Sequence, residues 1–295
     1  MVIGRFGHAL KISDLPRWVF SPILDEMHAI IVQNIPQPGQ TMAITGEQAR
    51  HAVRVRRMLP GEPILLMDGR GTVAQAIVAG SDKHTPDHAW RLLADVQAVV
   101  HHPPPSPPVH VLCPAPKGAL LEAMIDQLSQ VGAASWRPLD TQRSQREPRS
   151  GRIERLERIA QESAKQCHRP WLLQILPPIG LDQALALPNA VLASPGAPPP
   201  HAVLGHLAGP PEHRDHGPTP DRPATGRLEQ GIHVLVGPEG GFSDQERIKA
   251  QDARLAFVGL GPHVLRIGTA AVVAAAGFVQ ALGYESGNRQ AEAYG

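Results

Sequence analysis

Apolar positions along the chain recur with two different periods, and the change of period divides it. From residue 28 to 100 short apolar runs dominate: Ile30-Ile31-Val32, Ile64-Leu65-Leu66-Met67 and Val73 to Val78. Asp68-Gly69 and Gly80 supply turn chemistry between them, so this stretch reads as mostly β. One helix is predicted to interrupt it, from Thr45 to Leu59. Thr45 would cap it, with Gln48 three residues on as in a capping box.

From residue 109 to 284 the pattern alternates between strand and helix. Strands are expected at Val109 to Cys113, Leu172 to Leu176, Ala190 to Ala193, His233 to Val236 and Ala256 to Gly259. Leu120, Leu121, Met124, Ile125, Leu128 and Val131 follow helical spacing, and Gly132 ends that helix. Leu156, Ile159, Ala160, Ala164 and Cys167 place a second helix over Arg152 to His168. A third begins at Ser243, where Ser243 and Glu246 have capping-box spacing, and a fourth runs from Thr269 to Leu282. Such alternation predicts an α/β domain: a parallel sheet with helices on both faces.

Proline sets the boundaries, with 31 residues in a chain of 295. Pro103, Pro104, Pro105, Pro107 and Pro108 predict a stiff spacer. The expected organisation is an extension at 1–26 (Met27 being an alternative start), a small β domain at 27–100, a linker at 101–108, an α/β domain at 109–284 and a tail at 285–295. Within the α/β domain, residues 195–226 read as a Pro-rich surface loop without apolar period.

Composition narrows the partners. The formal net charge is +1, which alone points to no polyanion. Of the 28 basic residues 23 are Arg, a forked donor suited to phosphate, although a GC-rich genome would also favour it. Clusters are more telling. Arg50, Arg54, Arg56 and Arg57 end the predicted first helix, as an RNA-docking face or simply a solvated one. Between Arg137 and Arg169 basic residues exceed acidic ones by four. Arg143, Arg146, Arg149 and Arg152 fall around a loop, marked by Pro148 and Gly151, suited to phosphate contacts. Glu154 and Glu157 offer the neighbouring helix ion pairs instead. Cys113 and Cys167 have no paired spacing, so neither a disulfide scaffold nor a zinc ribbon is expected, and a cytoplasmic setting fits. The 15 His form no metal-ligand spacing. No apolar run reaches the ~20 residues of a membrane span.

Two segments carry chemistry. In Val234-Leu235-Val236-Gly237-Pro238-Glu239-Gly240-Gly241-Phe242-Ser243 a strand enters a turn with three glycines and then a capped helix. Glycine lets backbone approach a ligand closely, and ligands of open α/β sheets sit at such strand ends. The spacing is neither a dinucleotide fingerprint nor a P-loop. In Val258-Gly259-Leu260-Gly261-Pro262-His263-Val264-Leu265-Arg266-Ile267-Gly268-Thr269-Ala270 a second strand ends in a glycine loop before a small-residue helix. Two such loops would wall a cleft with backbone groups.

Together these segments resemble the knotted SPOUT class of methyltransferases, and specifically the ribosomal RNA small subunit methyltransferase E family. That family pairs a G-P-E-G-G-F-S loop with an L-G-x-x-I-L-R-x-E-T-A loop. Supporting matches are Gly46 to Arg57 with Pro60-Gly61-Glu62, Pro116-Lys117 before a helix, Thr141-Gln142-Arg143-Ser144, and Glu162 to Arg169. They span roughly 28–284 in the family's order.

The resemblance implies a PUA-like N-terminal β-barrel and a C-terminal parallel-sheet domain with a deep trefoil knot. It implies a homodimer that uses S-adenosyl-L-methionine to methylate N3 of a uridine in 16S rRNA of the small ribosomal subunit, without metal or membrane. Cofactor contacts would come from Gly237, Pro238, Glu239, Gly240, Gly241, Leu260, Val264, Leu265, Arg266, Thr269 and Ala270. By motif position Arg266, Arg143 and Arg169 are the candidates to stabilise the charge left when N3 loses its proton. Glu239 would orient the cofactor or accept that proton, or merely bond turn amides. RNA contacts would come from Arg50, Arg54, Arg56, Arg57, Lys117, Arg146 and Arg149. Three acidic family positions are neutral here: Gln130, Gln142 and Gly268. Gly268 supports an alternative, a knotted RNA-binding or ribosome-assembly protein with impaired catalysis; a methyltransferase with another RNA target is a third.

Overall fold

Burial alternates along the first long strands, as a half-buried sheet requires. The computed structural model describes residues 27–84, 89–144, 150–194, 197 and 229–282. These divide into two compact units. The first holds residues through Leu66 together with Ala74–Val100. Its strands are β1 (His28–Ile31), β2 (Thr41–Ile44), β3 (Pro63–Met67), β4 (Thr72–His84) and β5 (Ala89–His101). They form one sheet in the order β1-β3-β4-β5-β2. Ala74, Ala76 and Val78 alternate inward on β4, and Leu92, Ala94 and Val96 on β5, against Ile30, Ile44, Ile64 and Leu66.

The helix expected over 45–59 is shorter and irregular. It is α1 (Gly46–Arg50), followed by a single π-turn over His51–Val55. Thr45 has extended backbone but its side chain makes no cap bond, so the predicted capping box is absent. Arg56 N–H donates to His51 O at 3.0 Å, the five-residue bond that defines the π-turn. Ala49 and Ala52 face the core, while Arg50, Arg54, Arg56 and Arg57 are all exposed.

The second unit begins with β6 (Val109–Cys113), α2 (Ala119–Gln130), β7 (Ser135–Asp140) and α3 (Ser150–Gln166). There follow β8 (Gln174–Ile175), β9 (Ile179–Gly180), α4 (Leu181–Leu185), β10 (Ala190–Ala193), β11 (Ile232–Leu235), α5 (Asp244–Asp252), β12 (Ala256–Val258) and α6 (Ile267–Ala281). The strands run β12-β10-β11-β6-β7-β8, with β9 also on β7. The pairings of β12 with β10, β10 with β11, β11 with β6 and β6 with β7 are all parallel. Both faces are covered, which explains the near-continuous apolar strands. Val111, Cys113, Trp136, Val191, Val234 and Val258 face the layer of α2, α3 and α6. Leu112, Leu139, Leu192 and Leu235 face Leu181, Ala184 and Ala250 of α4 and α5. Trp136 Nε1–H donates to Cys113 Sγ at 3.2 Å. Burial pushes the Cys113 thiol up to about 12, so it is a core residue and no nucleophile.

The Pro-rich stretch is anchored at both ends. Trp171 Nε1–H donates to His102 O, and Ile232 N–H donates to Pro108 O. Arg152 and Arg155 reach α2, bonding Gly118 O and Glu122, rather than pairing with Glu154 and Glu157. The extension at 1–26, the tail at 285–295 and Arg146 and Arg149 lie outside the described residues, as does the 195–226 loop apart from Ala197.

Arg169 is taken up by the fold. It is 8% exposed, and its guanidinium donates to Ser129 O at 2.7 Å and Ala133 O at 2.6 Å. A cation there satisfies carbonyls at and just beyond the carboxyl end of α2, where the helix dipole favours it. Its motif position suggested a catalytic arginine; its bonds make it a structural tie. Arg169→Met should cost about 2–4 kcal/mol in urea denaturation, because the Ala133 carbonyl loses its donor and the Ser129 carbonyl keeps only Gly132 N–H.

At the amino end of the sheet, His110 and His233 stack with ring centroids 4.7 Å apart. His110 Nδ1 lies 2.8 Å from Ser135 Oγ, and His233 Nδ1 2.8 Å from Pro188 O. Burial first, then the charges of His233 and Arg137, lower His110 from its ordinary 6.5 to about 4. His233 is lowered too, chiefly by burial. The unfolded chain therefore binds more protons between these values, and stability falls as pH drops from about 6.5 toward about 4. Stability measured across that window should decline by about 1–2 kcal/mol on His110's account, given its half-exposed ring. In His110→Gln the slope should flatten but not vanish, since His233 remains.

Candidate active site

Parallel pairing puts the carboxyl ends of β12, β10, β11, β6 and β7 on one edge of the sheet, and both glycine loops leave from that edge. After β11 the chain buries Val236 and Pro238 and then turns outward, leaving Glu239 and Gly240 exposed. Gly241 N–H donates to Pro238 O at 2.8 Å and closes the turn. Gly241 has φ +67°, a backbone that glycine adopts without strain. A side chain at Gly237 would meet the Phe242 ring at 3.0 Å. The turn ends at α5, where the predicted capping box forms. Ser243 Oγ accepts from Glu246 N–H at 3.2 Å, and Glu246 Oε2 accepts from Ser243 N–H at 2.7 Å.

The turn after β7, Thr141–Ser144, meets this one. Arg143 Nη1 donates to Gly240 O at 2.6 Å, and a Cβ on Gly240 would lie 3.4 Å from Arg143 Cδ. Gln142 N–H donates to Glu246 Oε1 at 2.8 Å, and Gln142 Nε2 to Gln245 Oε1 at 3.2 Å. Two motifs about a hundred residues apart are thus joined by side chains. Arg143 and the Gly237–Gly241 turn were both singled out from the sequence. The double use of Glu246 was not. Only its helix-capping oxygen is legible in the Ser-x-x-Glu spacing.

The second loop follows β12. Ser194 N–H donates to Val258 O at 2.9 Å, drawing the end of β10 alongside. A Cβ on Gly259 would lie 2.0 Å from Ala197 O, so only glycine lets the two chains approach this closely. Gly261 has φ +124°. Leu260 and Leu265 pack on the core, whereas Val264 is 87% exposed. Arg266 is the exposed N-cap residue of α6, with Thr269 exposed and Ala270 buried one turn in. Gly268 sits in the first turn of α6. A Cβ there would find only Met124 Cβ, at 3.8 Å.

Lys117 is exposed in the loop after β6, on this same edge. Arg169 is spent elsewhere, as described. Arg50, Arg54, Arg56 and Arg57 belong to the first unit. Among the described residues no three His, Cys, Asp or Glu side chains gather to hold a metal, and no helix is long and apolar enough to cross a membrane.

The glycines separate by what surrounds them. Gly259→Ala should destabilise by about 1–3 kcal/mol, since a backbone carbonyl must move. Gly268→Ala should stabilise by up to about 1 kcal/mol, since α6 gains helix propensity without a clash. Thermal unfolding of the two variants should show shifts of opposite sign.

The chain is similar to known proteins along most of its length. It is 29% identical to the ribosomal RNA small subunit methyltransferase E of Mycobacterium bovis, over 82% of this chain and 87% of that protein. It is 28% identical to the protein of the same name from Synechocystis, over 80% of this chain and 72% of that one. Its fold matches the crystal structure of a ribosomal RNA small subunit methyltransferase E from Neisseria gonorrhoeae bound to S-adenosyl methionine. The TM-score is 0.66 at 23% identity, covering 86% of this chain and 98% of that one. The RNA methyltransferase PUA domain family matches residues 44–87. The RNA methyltransferase domain family matches residues 103–279, more than half of the chain. The chain belongs to the RNA methyltransferase domain family.

Proposed function

We propose that this chain transfers the methyl group of S-adenosyl-L-methionine to N3 of a uridine in 16S rRNA of the small ribosomal subunit. The observation that carries this reading is the bond from Arg143 to Gly240 O, which sets an arginine against the glycine turn. The names of the Mycobacterium bovis and Synechocystis relatives supply the RNA class. The bound ligand of the Neisseria gonorrhoeae protein supplies the donor.

The residues present fit that donor. Gly237, Gly240 and Gly259 let the main chain run close to Phe242, Arg143 and Ala197, so both loops present backbone amides and carbonyls in place of side chains. Gly237–Gly241 and Leu260–Ala270 would hold the donor between them. When bound, it supplies a sulfonium methyl that carries its own leaving group. The chain's part is to place the uridine and manage its proton. Loss of the N3 proton leaves negative charge over O2 and O4. Arg143, held by its bond to Gly240 O, offers a donor fixed in advance, and Arg266 at the start of α6 adds a second cation. Glu239, exposed on the turn, would orient the donor or take the proton. Residues 27–100 serve as a PUA-like RNA-docking domain, 101–108 as linker and 109–284 as the catalytic domain, with the 195–226 loop inserted. In this reading the catalytic domain carries a trefoil knot, and the enzyme is a cytoplasmic homodimer.

Gly268 favours one rival, an RNA-binding protein that lacks a catalytic carboxylate. Calorimetry with S-adenosyl-L-methionine and mass spectrometry of rRNA from a deletion strain separate the readings. Donor binding and the loss of one methylated uridine from 16S rRNA are expected. Donor binding with 16S rRNA unchanged would move the target elsewhere, and no binding would sink the enzyme reading. Arg143→Ala should lower kcat about 100-fold in single-turnover methylation assays.

A further inference from the structure

The two turns that meet at Gly240 and Arg143 leave strands that are not neighbours. β6 lies between β11 and β7, so their ends stand about 10 Å apart at ordinary strand spacing. Backbone cannot bridge that distance directly, and two long side chains do. Arg143 crosses in one direction to Gly240 O. Glu246 crosses in the other to Gln142 N–H.

Glu246 is 3% exposed, and among the described residues no cation pairs with it. Its carboxylate is held by two main-chain N–H groups at the amino end of α5. An ordinary capping box needs one carboxylate oxygen. Here Oε2 takes Ser243 N–H and Oε1 takes Gln142 N–H, from a turn 104 residues away. The Thr141–Ser144 turn is itself rigid. Ser144 N–H donates to Thr141 O at 3.1 Å, and Ser144 Oγ bonds Thr141 at both its N–H and its carbonyl. A rigid turn held at Gln142 leaves Arg143, the next residue, with a fixed origin for its side chain.

We propose that Glu246 is a positioning residue, a latch whose buried carboxylate holds the Thr141–Ser144 turn to the start of α5 and so aims Arg143 at the glycine turn. The role of Arg143 in methyl transfer rests on the proposed function; the latch itself does not. Glu246→Asp keeps the charge and shortens the reach by one methylene. Gln142→Pro removes the donated N–H at the second position of a β-turn, which proline favours, and leaves the Ser243 cap intact. Gln142→Ala removes only the side-chain bond to Gln245 and is the control.

Hydrogen exchange over residues 141–144 reads the latch without activity. Exchange should rise at least tenfold in Glu246→Asp and stay within twofold of the parent in Gln142→Ala. Unchanged exchange in Glu246→Asp overturns the latch whether or not the protein methylates RNA. Steady-state methylation then reads the positioning role. In both Gln142→Pro and Glu246→Asp, kcat should fall at least tenfold, with the donor Kd within threefold and the Tm of Gln142→Pro within a few degrees. Faster exchange with unchanged kcat overturns the role in catalysis. If Gln142→Pro fails to fold, Glu246→Asp carries both readouts. If the parent protein itself leaves 16S rRNA unmethylated, the proposed function fails and the exchange experiment still decides the latch.

Discussion

The candidate site depends on one constraint: adjacent strands of the second unit run parallel. Parallel pairing sends every carboxyl end to the same edge, so loops far apart in sequence must emerge side by side. Gly237–Gly241, Thr141–Ser144 and Gly259–Arg266 are assembled this way without any need for loop-to-loop sequence complementarity. What remains is to fix loops that leave non-adjacent strands. The molecule does this with long side chains where strands are skipped, and with bare glycine where chains touch. Arg143 and Glu246 are the first kind. Gly259 beneath Ala197 O is the second.

The same constraint sorts the polar groups. At the carboxyl edge they remain exposed or answer one another across loops. At the amino edge they are half-buried and neutral, as with the stacked His110 and His233. In the interior Arg169 shows how far such pairing goes: a full charge is buried to satisfy carbonyls of a neighbouring segment. A polar group's chemistry here follows from where its strand or helix ends, not from its residue type.

That distinction sets what the sequence could disclose. The glycine turn, the Ser243 cap and most strands of the second unit were legible, because apolar runs and capping residues are local signals. Strand β7 was not, although Trp136 on it is fully buried. Its run Ser-Trp-Arg-Pro-Leu-Asp mixes polar residues and proline into a central position. β5 was missed for a related reason: its inward residues include Ala94, too small to mark a period. The helix at 45–59 was overextended because its Arg-rich end looks helical, while the chain spends those residues on a π-turn and a positive φ at Arg57. Arg169 and Arg143 occupy equally suggestive motif positions. Only packing distinguishes a buried tie from an exposed hand.

The three neutral residues at positions where the resemblance implies acids differ in weight. Gln142 contributes its main-chain N–H to Glu246, and a main-chain donor is indifferent to the side chain that accompanies it. Gln130 donates to Asp126 one turn back on α2, a local surface bond that a neutral side chain makes well. Neither replacement removes a bond that joins the Thr141–Ser144 turn to the glycine turn. Gly268 is different. It lies two residues after Arg266, at the amino end of α6, where a carboxylate would have met the helix dipole and balanced that arginine. Without it the exposed Arg266 keeps more of its positive field at the start of α6. Such a field attracts anions, an RNA backbone among them, so glycine at this position leaves the start of α6 the more cationic.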